Sequence, residues 1–169
     1  MLYNVAWTVL KAYEACCDAG VPVSYDVEVG VSRYPTQHQF GICRRRGNSY
    51  HILVSPALLS QDVPYIALKS TVMHELLHTC ADTDGHDAKW QEYAKAVEPH
   101  GYRIMRVASV SDYGMSDEDY AKVCIQTRDE GAYLAMPSFY VPLLICACEE
   151  DGGMVRDARE VLSAHGFSD

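Results

Sequence analysis

No long apolar stretch occurs in this 169-residue chain. The longest apolar run, around Tyr140 to Cys148, falls short of the roughly 20 residues that a membrane-spanning helix needs. No membrane partner is therefore expected. The N-terminus lacks a basic flank ahead of an apolar block, so no secretory leader is expected either. Regular cysteine pairing is also missing. Seven cysteines are an odd number without a repeating spacing, which points to buried thiols in a reducing, cytoplasmic compartment. Basic charge is scarce: 14 lysines and arginines face 23 acids, for a net charge of −9. The deficit is uneven. Residues 1–108 hold 10 basic and 11 acidic groups, whereas residues 109–169 hold 4 and 12. An acidic face repels a phosphate backbone, so the charge balance does not support a nucleic-acid partner. The length suits one domain, or one domain with a small appendage.

What the chain does carry is concentrated between His74 and His86. The stretch opens His74-Glu75-Leu76-Leu77-His78. Residues four apart on a helix lie about 40° apart around the axis, one turn up. His74 and His78 can thus aim two imidazoles at one metal ion. Glu75 lies about 100° round from His74, where its carboxylate can reach a metal-bound water. Neutral nitrogens around Zn²⁺, with a carboxylate beside an open coordination position, are the parts of a zinc hydrolase. Val63 to Met73 reads as the preceding helix turns, with Asp62 as a cap and Pro64 in the first turn. The third ligand lies beyond the turn sequence Asp82-Thr83-Asp84-Gly85. His86 is favoured, in the first turn of a helix over Asp87 to Val97, and Asp84 is the rival.

Other elements follow from periodicity. Leu2, Val5, Val9 and Tyr13 recur at helical spacing over residues 2–19. Val21 to Val31 alternates as a strand with one buried face. Phe40 to Arg45 and Ser49 to Ser55 flank Arg46-Gly47-Asn48 as a hairpin. Tyr102 to Val107 reads as a further strand, and Met154 to His165 as a short helix. The fold class expected is α+β: a small antiparallel sheet packed on helices, with a small C-terminal β-rich appendage.

His74-Glu75-x-x-His78, then Gly85-His86 and Trp90, resembles the SprT-like family of zinc metallopeptidases, which includes Spartan-type proteases. Gly41-Ile42-Cys43-Arg44 and the segment Ile52 to Leu59 resemble it as well. The resemblance covers roughly the first 105 residues. It implies a zincin-like protease core over 1–108, holding Zn²⁺ on His74, His78 and His86 with Glu75 as general base. It also implies protein or peptide substrates. Eukaryotic members act on proteins crosslinked to DNA, so nucleic acid enters by resemblance alone. Members often carry a zinc ribbon after the core. Here Cys124 has Thr127 where a second cysteine would stand, and Cys146 and Cys148 are one residue apart. Residues 109–169 are therefore expected to be an acidic, degenerate ribbon without metal, with His165 unsupported as a ligand.

Two function classes follow. The first is a zinc-dependent endopeptidase. The second is a non-catalytic zinc-binding interaction module, in which Asp82, Asp84 or Asp87 would close the coordination shell. Tyr113 and His100 are candidates for a donor to the developing oxyanion. His38 and His51 read as surface or packing residues and Arg44 to Arg46 as a solvated hairpin tip, although these three arginines could contact acidic substrate or nucleic acid. Arg33 matches a basic position of the family ahead of the hairpin and is assigned no role.

Overall fold

Asn4 opens the first helix because its side chain accepts the Trp7 backbone N–H at 2.9 Å. In the computed structural model, which describes residues 2–131 and 138–150, α1 spans Val5–Ala19. Gly20 ends it in the left-handed region, with φ of 69°. The buried side of α1 carries Val5, Val9, Ala12, Tyr13 and Cys16, as its spacing predicts.

The strand after it is shorter than its alternating valines imply. β1 spans only Val27–Val31. Val21 and Val23 are buried, but the Ser24 N–H binds the Thr79 hydroxyl instead of a neighbouring strand. β2 (Gly41–Arg46) and β3 (Ser49–Val54) form the expected hairpin. Gly47 sits first in its two-residue turn with φ of 64°, a backbone state that strongly favours glycine there.

The sheet is mixed, where a wholly antiparallel one was expected. Its order is β2-β3-β1-β4, and β1 runs parallel to β3. β3 sits inside the sheet because it carries Ile52 and Val54, both fully buried. β2 ends in three exposed arginines, and charge of this kind suits an edge strand. The link 32–40 takes the chain past β3 before the hairpin turns back. Val27, Val29, Ile52 and Val54 share the inner face of the sheet and belong to one buried core with α1 and α2.

α2 (Tyr65–Leu77) is the central element. It packs against α1, β2 and β3 and is buried at nine positions from Ala67 to Leu77. Pro64, rather than Asp62, stands at its cap; the Asp62 carboxylate accepts from the Ser60 hydroxyl. α3 spans Ala88–Val97 and buries Trp90, Tyr93, Ala94 and Val97 on one side, as read from the sequence.

Tyr102 to Val107 is not a strand. Its backbone is tied to α2 side chains instead of to a sheet. The Arg103 N–H donates to the Ser70 hydroxyl at 3.0 Å, and the Met105 carbonyl accepts from the His74 ring.

The expected β-rich appendage is mostly helical within the described residues. α4 (Asp117–Glu130) starts at Ser116, whose hydroxyl accepts the Asp119 N–H. Asp117, Glu118 and Asp119 in its first turn suit the positive end of the helix dipole. Two-residue β4 (Phe139–Tyr140) pairs antiparallel with β1, and α5 (Val141–Glu150) follows. Tyr120, Val123, Cys124, Phe139, Val141 and Leu144 join the same buried cluster as α1 and α2. The helix expected over Met154 to His165 lies outside the described residues. Among the described residues, no helix is long and apolar enough to cross a membrane.

Candidate metal centre

The end of α2 and the start of α3 bring three imidazoles together. His74 lies in the last turn of α2 and His78 is its C-cap residue. The chain then turns through Cys80 to Gly85, where Gly85 takes φ of 57°. The Thr83 hydroxyl donates back to the Cys80 carbonyl at 2.9 Å. His86 follows, one residue before Asp87 caps α3. One carboxylate oxygen of Asp87 accepts the Trp90 N–H at 2.8 Å, and the other accepts the Asp84 N–H at 3.0 Å. The Gln91 side chain donates to the His86 carbonyl. These bonds hold His86 against the two helix histidines.

The Nε2 atoms face one another. His74 and His78 are 3.3 Å apart, and His74 and His86 are 3.0 Å apart. Ligand nitrogens about 2.0–2.1 Å from a tetrahedral zinc stand about 3.3–3.4 Å from each other. The spacing therefore fits one small ion. Among the described residues, these three form the one group of His, Cys, Asp or Glu side chains whose donor atoms converge in this way. Asp82 is occupied elsewhere, accepting the Tyr93 hydroxyl at 2.6 Å. Asp84 and Asp87 do not join the cluster.

The environment keeps the rings neutral, which is the ligating form. Burial is the main force that lowers His74 to about 3, with His78 and His86 adding to it. Burial and His86 lower His78 to about 4. His86 is lowered by burial and then by the nearby Arg106 guanidinium. The His74 ring donates to the Met105 carbonyl. Since its Nε2 faces the other histidines, this bond falls to Nδ1 and fixes the tautomer. Trp90 walls the cluster, its ring centroid 4.8, 5.5 and 4.5 Å from those of His74, His78 and His86. It is 1% exposed, so the three rings meet a rigid surface.

Glu75 is buried beside this group, at 7% exposure. Burial pushes its carboxyl up to about 7, against the Cys43 backbone N–H, which pulls it down. It faces a cleft of about 170 Å³ that His74, Phe40, Gly41, Met105 and Tyr113 also line. Gly41 is required by distance: a β-carbon there would lie 2.8 Å from Thr71 Cγ2 and 2.9 Å from Glu75 Cγ and Oε1.

A family model, that of the SprT-like family, matches residues 9–110. The chain belongs to the SprT-like family. No curated protein and no solved structure matches it. The SprT-like segment contains all three histidines, Glu75, Gly41, Trp90 and Met105, and it ends before α4. The domain of this family is metalloprotease-like, and the three clustered histidines are consistent with zinc.

The other sequence candidates separate by position. Tyr113 reaches the SprT-like cleft, whereas His100 lines a different one, beside Trp7, Tyr65 and Lys69. His38 stands exposed at the rim of the Glu75 cleft. His51 is half-buried on β3. Arg33 stacks on Tyr34, and Arg44 to Arg46 lie exposed along β2. Cys124 is buried in α4, while Cys146 and Cys148, whose side chains lie outside the described residues, follow in α5. Sequence reasoning missed two parts of the site. The Met105 carbonyl leaves no side-chain signal. The constraint on Gly41 becomes visible only once β2 is seen against α2.

Proposed function

We propose that the protein is a zinc-dependent endopeptidase acting on protein or peptide substrates. The observation that carries this reading is the convergence of three neutral Nε2 atoms beside a buried glutamate on an open cleft. His74, His78 and His86 would hold the ion. Bound there, zinc would supply Lewis acidity and acidify a coordinated water to a pKa of about 7. Glu75 takes the proton from the attacking water and hands it to the leaving amine. A carboxyl lifted to about 7 is matched to both halves of that transfer near neutral pH. The Cys43 N–H and the close Gly41 backbone hold the carboxylate on the cleft side. Tyr113 stands on the same cleft as a hydroxyl donor for the developing oxyanion.

A closed, purely structural site would need a fourth protein ligand. Tyr93 holds Asp82, and Asp87 is spent capping α3, which favours the enzyme over the interaction module. The reading assigns the chemistry to residues 1–108 and treats 109–169 as an acidic appendage with a degenerate ribbon. Glu75→Gln should keep zinc and lose cleavage of an unfolded protein by about 10²–10⁴-fold, the usual worth of a general base. Cleavage at the wild-type rate in that variant would refute the assignment.

A further inference from the structure

The cleft beside Glu75 has a charge that the rest of the chain does not share. The molecule is acidic, at −9. Yet Arg103 and Arg106 line this cleft, and its one acidic residue is Glu75 itself. Glu75 is buried and committed to proton transfer. Neither arginine has a carboxylate within ion-pair distance among the described residues, whereas Lys11, Lys89 and Lys122 each do. Among the described residues the Arg103 guanidinium donates to the Asp112 carbonyl, at 3.2 Å. Both arginines are exposed residues on the cleft lining and sit on backbone pinned to α2. The Arg103 N–H is bound to Ser70, and the Met105 carbonyl, between the two arginines, is bound to His74. One charge lies toward Tyr113 and the other toward His86.

Two arginines without a carboxylate partner among the described residues, on backbone either side of Met105, suit this cleft to anionic side chains. We infer that Arg103 and Arg106 select substrates bearing glutamate or aspartate next to the scissile bond. This rests on the peptidase reading and adds a substrate class to it. A peptide fits better than a nucleic acid. Anything seated here must present a scissile backbone to Glu75, and the acidic remainder of the chain opposes a long phosphate backbone.

The test uses the full zinc-loaded chain and internally quenched peptides with a constant core flanked by Glu, Gln or Lys. Wild type should show kcat/KM falling in the order Glu, Gln, Lys. Each arginine should contribute about a two- to fivefold preference, as exposed charge pairs do. The preference should shrink at high salt. The double variant Arg103→Glu, Arg106→Glu should invert the ratio of Glu to Lys peptide. Its thermal melt shows whether it remains folded, and Arg106→Gln alone provides a milder change that should flatten the ratio. A ratio that stays constant while rates for all peptides fall together would assign Arg106 to the transition state and overturn the inference.

A second arm measures binding of the same peptides to Glu75→Gln by fluorescence anisotropy. Tighter binding of the Glu peptide, even where wild type cuts nothing, upholds the selective cleft and refutes the peptidase reading. Cleavage without charge preference in either arm refutes the inference and leaves the peptidase reading intact. Displacement of the Glu peptide by a single-stranded oligonucleotide, but not by free glutamate-rich peptide, would give the arginines to nucleic acid and also refute it.

Discussion

At Gly41 one added carbon would reach the reaction chemistry. Its β-carbon would press on Thr71 and on the Glu75 carboxylate at under 3 Å, and neither can retreat far inside a packed core. Gly41→Ala should cost about 1–3 kcal/mol of stability, in the range of overpacked sites. It should also lower cleavage by displacing Glu75. Urea unfolding and a cleavage assay together check this; unchanged activity would show that the carboxylate has room. At this scale the sequence was informative about side chains and silent about backbone. His74, Glu75, His78 and His86 were readable because helical spacing and a turn dictate where those side chains go. The Met105 carbonyl and the Cys43 N–H were not readable, since every residue carries the same groups.

Among the elements, α3 matters to the site through its first turn. Asp87 satisfies two backbone donors there and fixes the residue before it, His86. Asp87→Ala should remove about 1 kcal/mol, as lost helix caps do, and should weaken metal binding more than it weakens the fold. Asp87→Asn should restore only part of both, because its single amide oxygen can accept one of the two N–H groups while its NH2 faces the other. Metal titration followed by competition with a chelator, alongside a thermal melt, separates the two effects. Helices α1, α2 and α3 were legible from their apolar periodicity, although the Asp62 cap expected for α2 is not the one that forms. β1 was over-read because Val21 and Val23 are buried without a strand partner, so alternation alone did not mark pairing. The segment 102–107 was misread for the opposite reason: its backbone is satisfied by Ser70 and His74, which no local pattern announces. α4 was not foreseen, although Ser116 and Gly131 stand at its two ends as cap residues.

For the whole molecule, three half-buried imidazoles gathered at the junction of α2 and α3 make metal binding part of folding stability. A ligand at about 100 times its Kd adds about 2.7 kcal/mol, which raises Tm by about 5–10 °C in a chain of this size. Chelation should therefore lower Tm, and re-addition of zinc should restore it; an unchanged melt would deny that the folded state binds the ion. The sheet's strand order was not legible, because the choice of β3 over β2 as the neighbour of β1 is settled by burial across the whole layer. The most direct test of the central claim measures zinc content and the rate of unfolded-protein cleavage together, in wild type and in Glu75→Gln. Equimolar zinc in both proteins, with cleavage only in wild type, is the predicted result. Wild type that binds no zinc, or a Glu75→Gln protein that cuts as fast as wild type, would contradict it.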